Sequence, residues 1–253
     1  MIKKIDFEDL KLILKYSLKD IARNYFICVG LLDAKKTYKE IYVFLDKDRI
    51  EGLFLLRQSG TSQLIYTGNK EKQEYIDFIK KNIQNKLITT RYYMNNVGIT
   101  GLFREEKDDA YIAEKQSNIL YEKFKYNFME LKEKNLDEVL NIYSNCFDHY
   151  AKKEQIKLEI LNNFTRIYGI KSNNLVSIIR TNCETNNSAL IVGLATTKKF
   201  RNQGYGTECL KNLCNILNKE NKKIFLQYNN LEAGRLYSKL GFINIDRVCH
   251  IKK

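Results

Sequence analysis

Proline and tryptophan are missing from the 253 residues, and histidine occurs only at His149 and His250. Two imidazoles argue against a multi-histidine metal centre, and no metal is expected. The six cysteines, Cys28, Cys146, Cys183, Cys209, Cys214 and Cys249, form no C-x-x-C pair. That pattern supports neither a zinc knuckle nor a disulfide framework and fits reduced thiols in a cytoplasmic protein. The most apolar early run, residues 25–32, is far shorter than the ~20 residues that span a bilayer. The opening MIKKIDFEDL has acids where a signal peptide needs apolar residues, so neither membrane insertion nor secretion is expected.

What is present has a globular balance. Apolar residues make up 44% of the chain, aromatics 12% and charged residues 29%, outside the range of disordered sequences. At roughly 100–200 residues per domain, the length suits one large domain or two small ones. Lys and Arg number 43 against 30 Asp and Glu, a net charge of +13. Such a field favours polyanions: nucleic acid, phosphates or coenzymes. A coding sequence rich in A and T, with Lys, Asn, Ile and Tyr plentiful, produces the same surplus, so nucleic acid is not the favoured partner.

Hydrophobic spacing assigns the elements. Leu10, Ile13, Leu14, Leu18, Ile21 and Tyr25 predict an amphipathic helix over residues 7–31. Residues 39–45 and 50–56 read as paired strands around a polar turn at 46–49, with a third strand at 63–67. Asn69 is placed to cap a helix running to about residue 85, and apolar runs at 87–94 and 110–113 are candidates to return to the sheet. A second unit is expected from about residue 123. It has a strand within 124–131, helices over 136–147 and 155–164, a hairpin of 166–170 with 175–180, and a central strand at 188–196. Cys146 and His149 would share a helical face, a pairing that is usually incidental. No Pro- or Ser-rich linker divides the two parts.

The chemistry concentrates after the central strand. Thr197-Lys-Lys-Phe-Arg-Asn-Gln-Gly-Tyr-Gly206 leads into a helix with Leu210, Leu213, Cys214 and Leu217 on one face. Glycines at a helix start expose unpaired amides, and the helix dipole favours an anion there, so a diphosphate is the natural occupant. The dinucleotide pattern fails because Cys209 stands where its third glycine belongs, and no Lys-Ser/Thr pair completes a Walker motif. A strand at 224–228, a turn, a short helix and a glycine-terminated return follow.

These residues carry a resemblance. Residues 194–206 resemble the acetyl-CoA-binding motif of the GNAT superfamily of N-acetyltransferases, with Arg201, Gly204 and Gly206 at its Q/R-x-x-G-x-G/A positions. Asn230, Ala233, Leu236, Tyr237, Leu240, Gly241 and Phe242 resemble the following motif of that superfamily, at the matching separation. The resemblance covers residues 188–243 and, as a fuller match, 123–253. It implies an α/β fold with a mixed sheet: a GNAT-like domain at 123–253 after a smaller α/β domain at 1–122. That first domain would be a degenerate copy that has lost the glycine turn, since its nearest loop, at Gly68 and Asn69, carries no second glycine.

The resemblance further implies acetyl-CoA as co-substrate and direct acetyl transfer to a primary amine. The central strand would splay from its neighbour, and main-chain groups of Leu194 and Thr196 would pair with the pantetheine arm. Amides of Gln203, Gly204, Tyr205, Gly206 and Thr207 would surround the diphosphate, with Arg201 on a phosphate and Lys198 or Lys199 near the adenosine phosphates. Asn230 would lie beside the pantetheine, and Tyr237 would reach the sulfur as the acid that protonates the thiolate. No carboxylate stands on the central strand where some relatives keep a base, which leaves Glu184, Asp148, His149 or water as proton acceptor. Two rivals stay open: an inactive acyl-CoA-binding sensor or scaffold, and a basic nucleic-acid binder.

Overall fold

The computed structural model describes residues 1–7, 10–106, 110–116 and 119–252. They form two compact units, Met1–Ile112 with Asn244–Lys253, and Ala113–Ile243.

The first unit runs β1 (Ile2–Lys4), α1 (Leu10–Ser17), α2 (Ile21–Leu31), α3 (Ala34–Thr37), β2 (Tyr38–Asp46), β3 (Arg49–Arg57), β4 (Thr61–Tyr66), α4 (Gln73–Asn82), β5 (Lys86–Thr90), α5 (Arg91–Val97), β6 (Arg104–Glu105) and the start of β7 (Tyr111–Lys115). Strands β1 to β4 pair antiparallel in order, and β5 joins β4 in parallel. The helix expected over 7–31 is two helices among the described residues. Leu18–Asp20 forms a tight turn, and the Asp20 carboxylate accepts the Arg23 amide at 3.2 Å, which starts α2 afresh. The run at 87–94 is likewise split: the hydroxyl of Thr90 accepts the Tyr93 amide and turns the strand into α5. Helix α4 begins after Lys72, not at Asn69, and ends at Asn82. Stacked Phe44 and Tyr75, 4.6 Å apart, lie in a core with Leu53, Phe54, Leu64 and Ile79. Each such fully buried side chain stabilises the fold by about 1.5–3 kcal/mol.

The second unit repeats the sequence of elements: β8 (Phe128–Leu131), α6 (Leu136–Ser144), α7 (Lys153–Leu161), β9 (Ile167–Lys171), β10 (Leu175–Asn182), β11 (Ser188–Thr196), α8 (Tyr205–Lys219), β12 (Lys223–Tyr228) and α9 (Leu231–Lys239). Again the first four strands pair antiparallel in order and β12 joins β11 in parallel. Two strands joined in parallel need a crossover, and α8 supplies it, burying the expected face of Leu210, Leu213, Cys214 and Leu217. Strand β13 (Phe242–Lys252) ends the chain; its residues from Asn244 belong to the first unit, where Val248–Lys252 pair antiparallel with β5.

Candidate functional site

Strand β11 pairs with β12 only from Ser188 opposite Lys223 to Ile191 opposite Leu226. Beyond that point both strands continue, β11 to Thr196 and β12 to Tyr228, without further pairing in the ladder. The parting coincides with an irregularity in the register against β10 and with Gly193 in the left-handed region, φ +62°. A side chain at 193 would also meet the hydroxyl of the buried Tyr143. Glycine is therefore required there twice over, by dihedral and by space.

The turn from β11 into α8 is open. Gly204 caps the helix at φ +90°, and apart from its chain neighbours no atom of the described residues lies within 4 Å of where its Cβ would be. The first amide to bond back is that of Glu208, to the Gly204 carbonyl at 2.9 Å. The amides of Tyr205, Gly206 and Thr207 thus have no helical acceptor and face outward at the positive end of a 15-residue helix. Arg201 bridges the strand end: its Nε donates to the Thr196 carbonyl at 3.1 Å, and a terminal nitrogen lies 3.8 Å from the Cys146 sulfur. A cavity of about 420 Å³ gathers these groups; half of its sixteen lining residues are Leu194, Thr196, Arg201, Gly204, Tyr205, Gly206, Thr207 and Asn230. An open glycine turn, free amides and a guanidinium are the donor set that a diphosphate requires.

Sequence reasoning anticipated those eight lining residues. Two of them carry further commitments. The carbonyl of Thr196 already accepts from Arg201 and from the Cys146 thiol at 3.5 Å, so pairing with a pantetheine arm there requires those donors to be displaced. Asn230 caps α9, its Oδ1 accepting the amides of Glu232 and Ala233. Gln203 is not in the lining; its side chain folds back to the Lys199 carbonyl at 3.1 Å. Lys198 and Lys199 are exposed and outside the lining.

The expected catalytic groups are scattered. Tyr237 is absent from the lining and packs edge-on against Tyr228, with ring centres 5.4 Å apart. Burial pushes its phenol up to about 12, so it is not tuned toward the thiol range. Glu184 stands before the first residue of β11, at the opposite end of that strand from the cavity. There it binds Arg166 and Lys222, each at 2.5 Å, and the Thr181 hydroxyl at 2.7 Å. Burial works to raise its pKa, but these hydrogen bonds outweigh it and hold the carboxylate below its ordinary range. Asp148 and His149 are exposed in the bend after α6, directly following the lining residues Cys146 and Phe147.

Residues that sequence reasoning passed over brace the turn. Tyr126 stacks on Tyr205 at 3.9 Å, and its hydroxyl donates to the Gln203 carbonyl at 2.9 Å. Glu208 accepts the amides of Lys125 and Tyr126 at 2.8 and 2.9 Å. No spacing rule links residue 126 to residue 205, so only the fold brings them together. Cys146 had a signal, its spacing from His149, but the partners it finds are Thr196 and Arg201.

The family model of FR47-like proteins matches residues 167–251. Among solved structures, a GNAT-family acetyltransferase from Colwellia psychrerythraea is similar over 100% of this chain and 99% of its own, with a TM-score of 0.71 at 13% identity. A tandem GNAT protein from the clavulanic acid biosynthesis pathway is similar over 99% and 97%, TM-score 0.61, 12% identity. A GCN5-related N-acetyltransferase from Sphaerobacter thermophilus is similar over 100% and 95%, TM-score 0.64, 11% identity. No curated protein matches the chain by sequence. These likenesses establish a GNAT fold, and they extend it over the whole chain, including the half with no glycine turn.

Proposed function

We propose that the chain is an acetyl-CoA-dependent N-acetyltransferase, with the coenzyme held by residues within 123–253 and the acetyl group passed directly to a primary amine. The observation that carries this reading is the pairing of β11 with β12 only up to Ile191 and Leu226, followed by an open turn whose amides converge beside Arg201. In it, the amides of Tyr205, Gly206 and Thr207 and the Arg201 guanidinium neutralise the diphosphate. Leu194 borders the pantetheine, and the Asn230 amide nitrogen is available to it. Tyr237, kept protonated by its burial, donates a hydrogen bond to the departing sulfur once α9 adjusts around the coenzyme. Asp148 or His149 takes the amine proton, directly or through water. Calorimetric titration with acetyl-CoA, followed by coenzyme A release with a panel of amines, tests it. Micromolar binding with turnover of at least one amine is expected.

A second reading is a coenzyme-binding module without turnover. It is favoured by the absence of any carboxylate on β11 and by the engagement of Glu184 with two cations away from the cavity. Acetyl-CoA binding without thiol release from any amine decides for it.

A further inference from the structure

The first unit holds a cavity of its own, about 480 Å³, lined by α1, the segment into α2, the turn between β2 and β3, and Thr67 at the end of β4. That volume is in the range of small-molecule sites. Its polar side chains include buried ones. Asn24, 2% exposed, donates one amide hydrogen to the Ser17 carbonyl at 2.8 Å, accepts from the Tyr93 hydroxyl, and keeps its second hydrogen. The Tyr16 hydroxyl pairs with that of Thr67 at 2.8 Å. Leu12, Ile50 and the Tyr16 ring supply apolar wall. The charged lining is cationic in balance. Lys15, Lys19 and Arg49 make no ion pair among the described residues, whereas the Asp20 carboxylate is held by Arg23 at 2.8 Å. Arg23 is shared with Asp246 at 2.6 Å, and Asp48 is the remaining acid of the lining, so Lys15, Lys19, Arg49 and Arg23 exceed Asp20, Asp48 and Asp246 by one positive charge.

We propose that this cavity binds a small phosphate monoester with an apolar body, as a second ligand site independent of the coenzyme turn. A phosphate monoester is an anion with three strong acceptor oxygens, which suits the converging donors of Lys15, Lys19, Arg49 and Asn24. A carboxylate offers these four donors two oxygens where the monoester offers three, and the Leu12 and Ile50 wall gives the rest of the molecule an apolar contact.

The test titrates the full-length chain with phenyl phosphate by calorimetry, alongside Lys15→Gln/Lys19→Gln/Arg49→Gln and Gly204→Val, with folding checked by circular dichroism. Wild type binds, the triple variant binds at least about tenfold more weakly, and Gly204→Val binds as wild type does. Phenyl phosphate inside a short phosphotyrosine peptide forms a second arm. Tighter binding of the peptide assigns the phosphate to a protein partner, and equal or weaker binding assigns it to a free metabolite; the site stands in both cases. No binding to wild type at about 10 mM, equal binding of phenol, or loss in Gly204→Val with retention in the triple variant would overturn the proposal.

Discussion

The turn after β4 and the turn after β11 leave equivalent strands and enter equivalent helices, yet one is filled and the other is open. In both units the parallel partner pairs for a few residues and then parts, after Gln63 opposite Ile88 and after Ile191 opposite Leu226. In the first unit the gap is stitched by the Thr89 hydroxyl, which donates to the Leu64 carbonyl at 3.0 Å. Its turn is occupied by the protein itself. The Tyr66 ring lies against Gly68, and its hydroxyl donates to the Lys70 carbonyl at 2.5 Å. In the second unit the space beside Gly204 is empty to 4 Å. A shared fold therefore supplies the strand, gap and helix, and the side chains of one short turn decide whether that turn is filled or left open.

Tyr66→Ala strikes at the filled turn and should have the largest effect. Removing a fully buried aromatic costs about 3–5 kcal/mol, read as a lower urea midpoint. Acetyl-CoA stoichiometry should stay at one, because no glycine pair follows; a second equivalent would mean that the tyrosine alone closes the first unit. Gly204→Val closes the open turn by its backbone, since φ +90° is strained for a β-branched residue. Affinity for acetyl-CoA should fall by about 100-fold, about 2.7 kcal/mol. Near-native affinity in a folded variant would detach the coenzyme from this turn.

Arg201→Gln keeps the turn and removes one charge, so acetyl-CoA should bind about tenfold more weakly, with a shallower salt dependence. Tyr237→Phe should lower turnover several-fold while leaving coenzyme affinity within about twofold; unchanged turnover removes it as the proton donor in the slow step. The smallest effect concerns Glu184. Its pKa is depressed in the folded state, so its stabilisation is complete above the unfolded value of about 4.3 and is lost as pH falls through the folded value. Glu184→Gln should therefore flatten urea stability on the acid side, and should leave acetyl-CoA affinity unchanged because the cavity is at the other end of β11.

How much of this could be read along the chain follows from the range of the interactions. The hairpin of β2 and β3, the continuous apolar run of β11 and the four-residue face of α8 are local patterns, and each appears where its periodicity puts it. The long helix at 7–31 failed because Asp20, a polar residue inside an amphipathic pattern, caps a new helix. The run at 87–94 returns to the sheet as β5 only up to Thr90, which caps a helix in the same way. In both cases a side-chain cap overrode hydrophobic spacing.

The site divides in the same way. Gly204 and Gly206 were marked by the order of residues, because a glycine turn after an apolar strand has meaning within a few positions; Arg201 and Asn230 were marked by the resemblance to the GNAT motifs. The sequence by itself thus determined the strand–turn–helix and the helix-start amides it leaves without a helical acceptor. Only the tertiary structure decided that Tyr126 stacks on Tyr205, that Cys146 and Arg201 meet on the Thr196 carbonyl, that Glu184 is drawn to Arg166 and Lys222 away from the cavity, and that Tyr66 fills the other turn. These contacts, local for Tyr66 and distant in sequence for the rest, depend on where whole strands and helices pack, and no pattern of neighbouring residues encodes that.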